Sequence, residues 1–183
     1  MTRLHVCVLA FAISAAIAGC ASTPAGESAA SAESTSMPDA DTRNANPLFT
    51  TSPLSLGYPQ FDRIQDSHFG PAFDRGMQEQ LEEMATIADQ SAAPTFENTI
   101  VAMEKSGQLL NRTSAVFYNL SGADTNDARQ KIRADYAGKL SAHNDAIFLN
   151  DKLYRRVKAL HDRRDSLGLD AEGVRLIERY HTD

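Results

Sequence analysis

The feature that most constrains the fold is the spacing of apolar residues from position 47 onward, which is the spacing of a helix face. Phe73, Met77, Leu81 and Met84 form the first such stripe, and residues three and four apart lie on one side of an α-helix. No segment shows the sustained alternation of a strand or an Asn-Gly hairpin signal. The pattern predicts an all-α fold, built as an antiparallel array of amphipathic helices.

Proline, glycine and capping residues place the joints between these helices. Gly107 falls inside the second apolar pattern, where glycine costs about 1 kcal/mol relative to alanine, so a kink is expected near 106–107. The predicted helices are 71–89, a second from Thr95 to about Leu120, a third capped within 124–127 and ending near Leu149, a fourth capped by Asn150 and ended by Gly168, and a fifth capped by Asp170. The fifth is still amphipathic at Asp183, which indicates a region truncated at its C-terminal end.

The N-terminus predicts an export signal. Arg3 precedes an apolar run too short to span a bilayer, and the run ends in Ile17-Ala18-Gly19-Cys20. This ending resembles the bacterial lipobox, in which the signal peptide is cleaved before a lipid-modified cysteine. Residues 1–19 are therefore interpreted as a lipoprotein signal peptide and Cys20 as the lipidation site. The alternative is an ordinary signal peptide with a chance cysteine.

Residues 20–46 are predicted to be a flexible linker behind the lipidated cysteine. The segment is rich in Ser, Ala, Thr, Glu, Asp and Pro, with almost nothing large and apolar to bury. Acyl chains on Cys20 would hold the protein to a membrane surface through a lipid anchor. Ala21, rather than an aspartate, follows the cysteine, which by resemblance to enterobacterial sorting patterns favours the outer membrane, facing the periplasm, over the inner membrane.

The folded part carries no pattern of its own that predicts catalysis or metal binding. The five histidines are His5, His68, His143, His161 and His181, and no pair has the spacing of a His-Glu-x-x-His zinc helix. Glu178 and His181 have the spacing of a Glu-x-x-His metal motif, but at a helix end, where a solvated face is the ordinary explanation. We therefore predict no catalytic residue and no metal ligand in this chain. His68 is predicted to cap or pack a helix start.

The charge balance bears on partners. A formal net charge of −6 and a pI of about 5.3 argue against nucleic acid as a partner, since nucleic-acid-binding domains present a basic face. Positive charges do collect between Lys152 and Arg164, but Asp151, Asp162 and Asp165 interrupt them. We interpret this stretch as a solvated helix face with i,i+4 ion pairs rather than as a phosphate or membrane site.

Several short stretches, in order along the folded part, resemble one family. They are Asn-Pro-Leu-Phe at 46–49, Tyr-Pro-Gln-Phe-Asp-Arg-Ile at 58–64, His-Phe-Gly-Pro-Ala-Phe-Asp-Arg-Gly-Met at 68–77, Phe-Glu-Asn-Thr-Ile at 96–100, Glu-Lys-Ser-Gly at 104–107, Thr-Asn-Asp at 125–127, Asn-Asp-Ala-Ile-Phe-Leu-Asn at 144–150, Arg-Arg-Asp-Ser-Leu-Gly-Leu-Asp at 163–170 and Arg-Leu at 175–176. Together they resemble the opening of the bacterial peptidyl-dipeptidases, or dipeptidyl carboxypeptidases, in the thimet oligopeptidase and oligopeptidase A family of zinc metallopeptidases.

The resemblance implies that residues 47–183 are the α-helical N-terminal region of a zinc oligopeptidase that releases C-terminal dipeptides from oligopeptide substrates. In that family such a region packs over a distant catalytic domain and helps to wall a deep channel. The zinc ligands and catalytic residues of the family lie in a C-terminal catalytic domain beyond this chain, so none is transferred to a residue here. The expected partner is that missing domain, and the isolated chain is expected to be inactive.

A second hypothesis comes from a different functional class. The chain would be a non-catalytic helical envelope lipoprotein that acts alone as a binding or structural module. An isolated chain that is monomeric and melts cooperatively would favour this hypothesis, whereas exposed apolar surface would favour the first.

Overall fold

The computed structural model describes residues 46–182. The predicted signal peptide at 1–19, the lipidation site Cys20 and all but the last residue of the predicted linker lie outside this range. The α-helices are α1 (Phe69–Ala88), α2 (Ala102–Lys105), α3 (Gln108–Ala123), α4 (Asp127–Phe148), α5 (Asp151–His161) and α6 (Ala171–Thr182). Residues 46–182 contain no β-strand, so the all-α prediction is confirmed.

The predicted N-caps of α4, α5 and α6 are confirmed, because short polar side chains accept hydrogen bonds from the first free amides of these helices. Asn126 accepts from the Arg129 amide, and Asn150 accepts from the amides of residues 152 and 153. Asp170 accepts from the Gly173 amide at 2.8 Å. His68 lies in the 3₁₀ turn that leads into α1, where its Nδ1 accepts from the Gln65 amide, as the capping prediction required.

The second predicted helix is divided more completely than a kink. A π-helical turn (Phe96–Val101), capped by Thr95, runs into the short α2, and α3 begins after a break at Ser106 and Gly107. Gly107 has φ +67°, and a Cβ on it would lie 2.5 Å from the Gln80 side-chain amide. The positive φ therefore favours glycine at 107, and a side chain there would also displace the end of the Gln80 side chain.

The fourth predicted helix is shorter than expected. The prediction carried it to Gly168, but α5 ends at His161, and a separate 3₁₀ turn follows at Arg164–Ser166. Between Leu160 and Leu167 the chain offers no apolar residue to bury, and packing of an apolar face is what sustains most helices in proteins. Gly168, with φ +67°, instead turns the chain toward α6.

Helix α1 lies at the centre of the array. Phe73 packs on Phe117 near the start of α1, and Gln80 contacts Ser106 further along it, so α1 and α3 are antiparallel. Helices α1 and α4 run in the same direction, since Tyr136 donates to Asp74 and, further along both helices, His143 donates to Gln80. This up-down-up order is that of the predicted antiparallel array.

Two hydrophobic cores lie along α1. The aromatic core surrounds its first half and consists of Leu48, Phe69, Ala72, Phe73, Leu110, Val116, Phe117 and Tyr136. The aliphatic core surrounds its second half and consists of Met84, Ile87, Ile100, Met103, Ile147, Leu153, Val157, Leu160 and Ile177. Between them α1 approaches α3 closely, because a Cβ on Gly76 would lie 2.9 Å from the Leu110 backbone.

Candidate functional site

A groove opens between α3 and α4, with α1 and α2 as its floor. We call it the central groove; it has a volume of about 430 Å³. Its lining residues are Gln80, Met84, Met103, Glu104, Ser106, Leu110, Asn111, Ser114, Tyr118, Leu140, Asn144, Ile147, Phe148 and Tyr180. Apolar side chains form much of the floor, while amide and hydroxyl groups stand along the walls. Such a mixed lining suits a polypeptide segment, which carries both kinds of surface.

A hydrogen-bonded relay holds the floor of the central groove. The His143 Nε2–H donates to the Gln80 Oε1 at 2.8 Å, and the Gln80 amide donates to the Ser106 hydroxyl at 3.4 Å. The Ser106 hydroxyl donates in turn to the Met103 carbonyl at 2.7 Å. The relay joins α1, α4 and the break before α3, so it fixes the position of one groove wall relative to the other.

The electrostatics of this relay depend on His143. The side chain is 4% exposed, and burial lowers its pKa below the ordinary value for histidine. At neutral pH the ring is therefore uncharged, which agrees with the donor role of Nε2. His143 is thus a buried polar residue, and its partner is Gln80.

A second cavity of about 240 Å³ continues the groove toward the end of α6. The two cavities share Met103, Ile147, Phe148 and Tyr180 as lining residues, and the second also reaches His181 and Thr182. The Tyr180 hydroxyl donates to the Glu104 carboxylate at 2.9 Å, so α6 and α2 are tied where the cavities meet.

The Glu178 and His181 pair does not converge on a common point. Glu178 accepts a hydrogen bond from Arg164 at 3.2 Å, while the His181 ring stacks on His161 with a centroid distance of 3.8 Å. Across residues 46–182 no three His, Asp or Glu side chains are arranged to hold a metal ion. The described residues therefore do not fit a zinc site.

The basic stretch from Lys152 to Arg164 is largely the solvated face that was predicted. Arg155 pairs with Asp151 and Lys158 pairs with Asp162, both at i,i+4 spacing. The prediction is wrong for Arg156, which is 6% exposed.

The Arg156 guanidinium donates to the carbonyls of Gln90 and Ala92 and to the Asn98 side chain. It thus fastens α5 to the loop after α1, and its role is structural. The same loop receives a hydrogen bond from Arg163 to the Pro94 carbonyl.

The sequence analysis did not predict the central groove, although two apolar doublets in the sequence are consistent with it. Tyr118 and Phe148 each follow a core residue directly, and they are 46% and 49% exposed. Two adjacent apolar residues on a helix point about 100° apart, so the Phe117-Tyr118 and Ile147-Phe148 doublets indicate a second apolar face.

No helix within residues 46–182 has both the length and the apolar character needed to span a bilayer.

These observations define a helical region with two cores and a groove, and with no metal cluster among its described residues. No family model matches the chain. It is 43% identical over 136 residues to dipeptidyl carboxypeptidase of Escherichia coli strain K12, and 42% identical over 138 residues to dipeptidyl carboxypeptidase of Salmonella typhimurium strain LT2.

The matches cover 74% and 75% of this chain but 20% of each relative. The chain therefore spans about a fifth of the length of the curated relatives it matches. The resemblance to the peptidyl-dipeptidases is confirmed, and the similarity is that of an N-terminal portion of such a protein.

Proposed function

We propose that this chain is the N-terminal helical part of a zinc-dependent peptidyl-dipeptidase, an enzyme that releases dipeptides from the C-terminal ends of oligopeptides. The observation that carries the proposal is the 43% identity over 136 residues to an Escherichia coli dipeptidyl carboxypeptidase. The match extends over 74% of the chain, so the similarity is not confined to one motif.

The proposal assigns zinc to the longer protein and not to this chain. Residues 46–182 do not fit a metal site, so the zinc ligands and the catalytic residues would come from the catalytic domain that follows. The groups of this chain that serve the enzyme are then structural. The relay through Gln80 and the Arg156 contacts hold the helices that the catalytic domain packs against.

Activity of a chimera tests this proposal. Residues 46–182 would replace the matching region of the Escherichia coli relative, and dipeptide release from a peptide with a free C-terminus would be followed by chromatography. We expect the chimera to release dipeptides and to lose this activity with a chelator. We expect the 183-residue chain alone to release none.

Two outcomes would contradict the proposal. Chelator-sensitive hydrolysis by the pure 183-residue chain would show that it does not depend on a further domain. A chimera that folds but releases no dipeptide would favour the alternative, a non-catalytic helical envelope lipoprotein acting as a binding or structural module.

We also propose that the protein is exported and anchored through a lipid on Cys20, facing the periplasm from the outer membrane. The support is the sequence Ile17-Ala18-Gly19-Cys20 behind an apolar run, since acyl chains anchor proteins to membranes without a spanning helix. Labelling with a radioactive fatty acid should mark the chain but not Cys20→Ala. Label that persists in Cys20→Ala would refute the anchor, and fractionation by density would identify the membrane.

A further inference from the structure

The central groove leaves a mixed surface open to solvent, in which apolar side chains alternate with amides and hydroxyls. Its rims carry Tyr118 and Phe148, which are 46% and 49% exposed, while the floor residue Met103 is 6% exposed. Large apolar side chains that stay half exposed beside polar groups are typical of an interaction site. The aliphatic core therefore continues into a surface that the described residues do not close.

The groove runs to the last turn of α6. Tyr180 lines both cavities, and His181 and Thr182 line the second. A polypeptide that continues beyond Asp183 therefore begins beside the groove and needs no long connection to enter it. The relatives are about five times as long as the stretch that this chain matches, so a longer protein has ample chain to place there.

We infer that the central groove is the docking site for a helix from the polypeptide that follows Asp183 in the longer protein. This inference rests on the proposed function and names the surface through which the region joins its catalytic domain. The walls of the groove come from α3 and α4, and an amphipathic helix laid between two helices buries its apolar stripe in this way.

The lining residues also specify the chemistry of that helix. An apolar stripe would cover Met103, Ile147 and Phe148. The side chains of Ser114 and Asn144 form no hydrogen bond within residues 46–182, so polar groups flanking the stripe can bond them. Glu104 carries the one carboxylate among the described lining residues, which calls for a lysine or arginine at that end of the incoming helix.

Protection of an introduced thiol tests this docking directly. Residues 46–182 contain no cysteine, so Ser114→Cys places a single thiol in the groove. Its alkylation rate would be measured on the corresponding peptide by mass spectrometry, in the 183-residue chain and in the chimera. We expect alkylation to be about tenfold slower or more in the chimera, because reaction then requires local opening. Ser91→Cys, in an exposed loop that does not line the groove, should react equally in both.

The outcomes separate this inference from the proposed function. Equal alkylation of Ser114→Cys in both proteins, with an active chimera, would overturn the docking site and leave the proposed function intact. An inactive chimera would instead count against the proposed function. Protection in the 183-residue chain alone that grows with its concentration would identify a second copy as the occupant and overturn the inference.

A pair of neighbouring substitutions gives an independent readout. Phe148 lines the groove, whereas Leu149 is 80% exposed and does not line it. Because half of Phe148 is already exposed, full burial should about double the loss of thermal stability caused by Phe148→Gln in the chimera relative to the isolated chain. Leu149→Gln should change neither protein. Equal losses for Phe148→Gln in both would contradict the inference.

Discussion

The aromatic core and the aliphatic core differ in how completely this chain closes them. In the aromatic core, Phe69, Phe73 and Phe117 are all at most 1% exposed, and Phe117 meets the other two edge to face at centroid distances of 5.0 and 5.3 Å. The aliphatic core instead borders both cavities through Met103 and Ile147. The aromatic core reaches the groove through Leu110 alone among its members and is otherwise closed by its own helices, whereas the aliphatic core is shared with both cavities.

The difference separates what this chain stabilises alone from what it offers to a partner. A side chain that is packed on all sides leaves a cavity when it is truncated, whereas a side chain beside an open groove leaves space that water already reaches. The aromatic core should therefore dominate the stability of the isolated chain. The aliphatic core should gain stability when the groove is covered.

The largest expected effect is that of truncating the centre of the aromatic core. Phe117→Ala should lower the free energy of unfolding by about 3–5 kcal/mol, measured by urea denaturation, because it removes three edge-to-face contacts and leaves a cavity. Met103→Ala, at the groove floor, should cost about 2 kcal/mol, the low end for a buried methionine. Equal losses for the two variants would contradict the distinction between a sealed and an open core.

The close approach of α1 and α3 should be the next most sensitive feature. Gly76→Ala would place a Cβ 2.9 Å from the Leu110 backbone, and overpacking of this kind costs about 1–3 kcal/mol. Gly138→Ala in α4 is the matched control, since a Cβ there meets nothing within 4 Å. The control should stabilise the chain by about 0.5–1 kcal/mol. Thermal melts of the two variants should therefore move in opposite directions.

The buried guanidinium of Arg156 should matter more than its exposed neighbour. Arg156→Met removes the donor to the Gln90 and Ala92 carbonyls, and we expect a loss of about 1–2 kcal/mol because those carbonyls lose a buried partner. Arg155→Met removes an exposed pair with Asp151 at 3.8 Å and should change stability by less than about 0.5 kcal/mol. An unchanged urea midpoint for Arg156→Met would refute its structural role.

The smallest predicted effect is a pH dependence from His143, which donates to Gln80 of α1. Burial lowers its pKa in the folded chain, so the unfolded chain binds a proton more readily. Stability from the neutral ring is present above about pH 6.5, the ordinary histidine pKa, and is lost as the pH falls through the lower folded pKa. The urea midpoint of the wild type should therefore drop more between pH 7.5 and 5.5 than that of His143→Gln. Parallel drops would assign the dependence to other groups.

The sequence predicted the features of the fold that depend on neighbouring residues. The caps at Thr95, Asn126, Asn150 and Asp170 could be predicted because a short polar side chain bonds amides two or three residues away. The end of α5 could not be predicted, because Leu167 continued the apolar spacing of the helix beyond the charged residues that interrupt it. Whether a helix persists across such a run is decided by tertiary packing.

The candidate site was less predictable than the fold for the same reason. The relay from His143 through Gln80 to Ser106 joins residues far apart in the sequence, and no local pattern marks it. Arg156 was predicted to be one more charge on a solvated face, because the loop that buries it is distant in the sequence and the residues next to Arg156 give no sign of that burial. The position of the groove depends on how far α3 and α4 diverge, which only the packed structure shows.

The π-helical turn at Phe96–Val101 has a consequence for how this region can vary in length. A π turn accommodates one residue more than an α-helical turn, so deleting a residue there would rewind it to α-helix rather than break it. Everything N-terminal to the deletion would then rotate by about 100° relative to α2. Asn98, whose amide donates to Thr95 and whose side chain accepts from Arg156, would move away from α5. A one-residue deletion at this turn would thus leave the helix itself intact but remove its contact with α5.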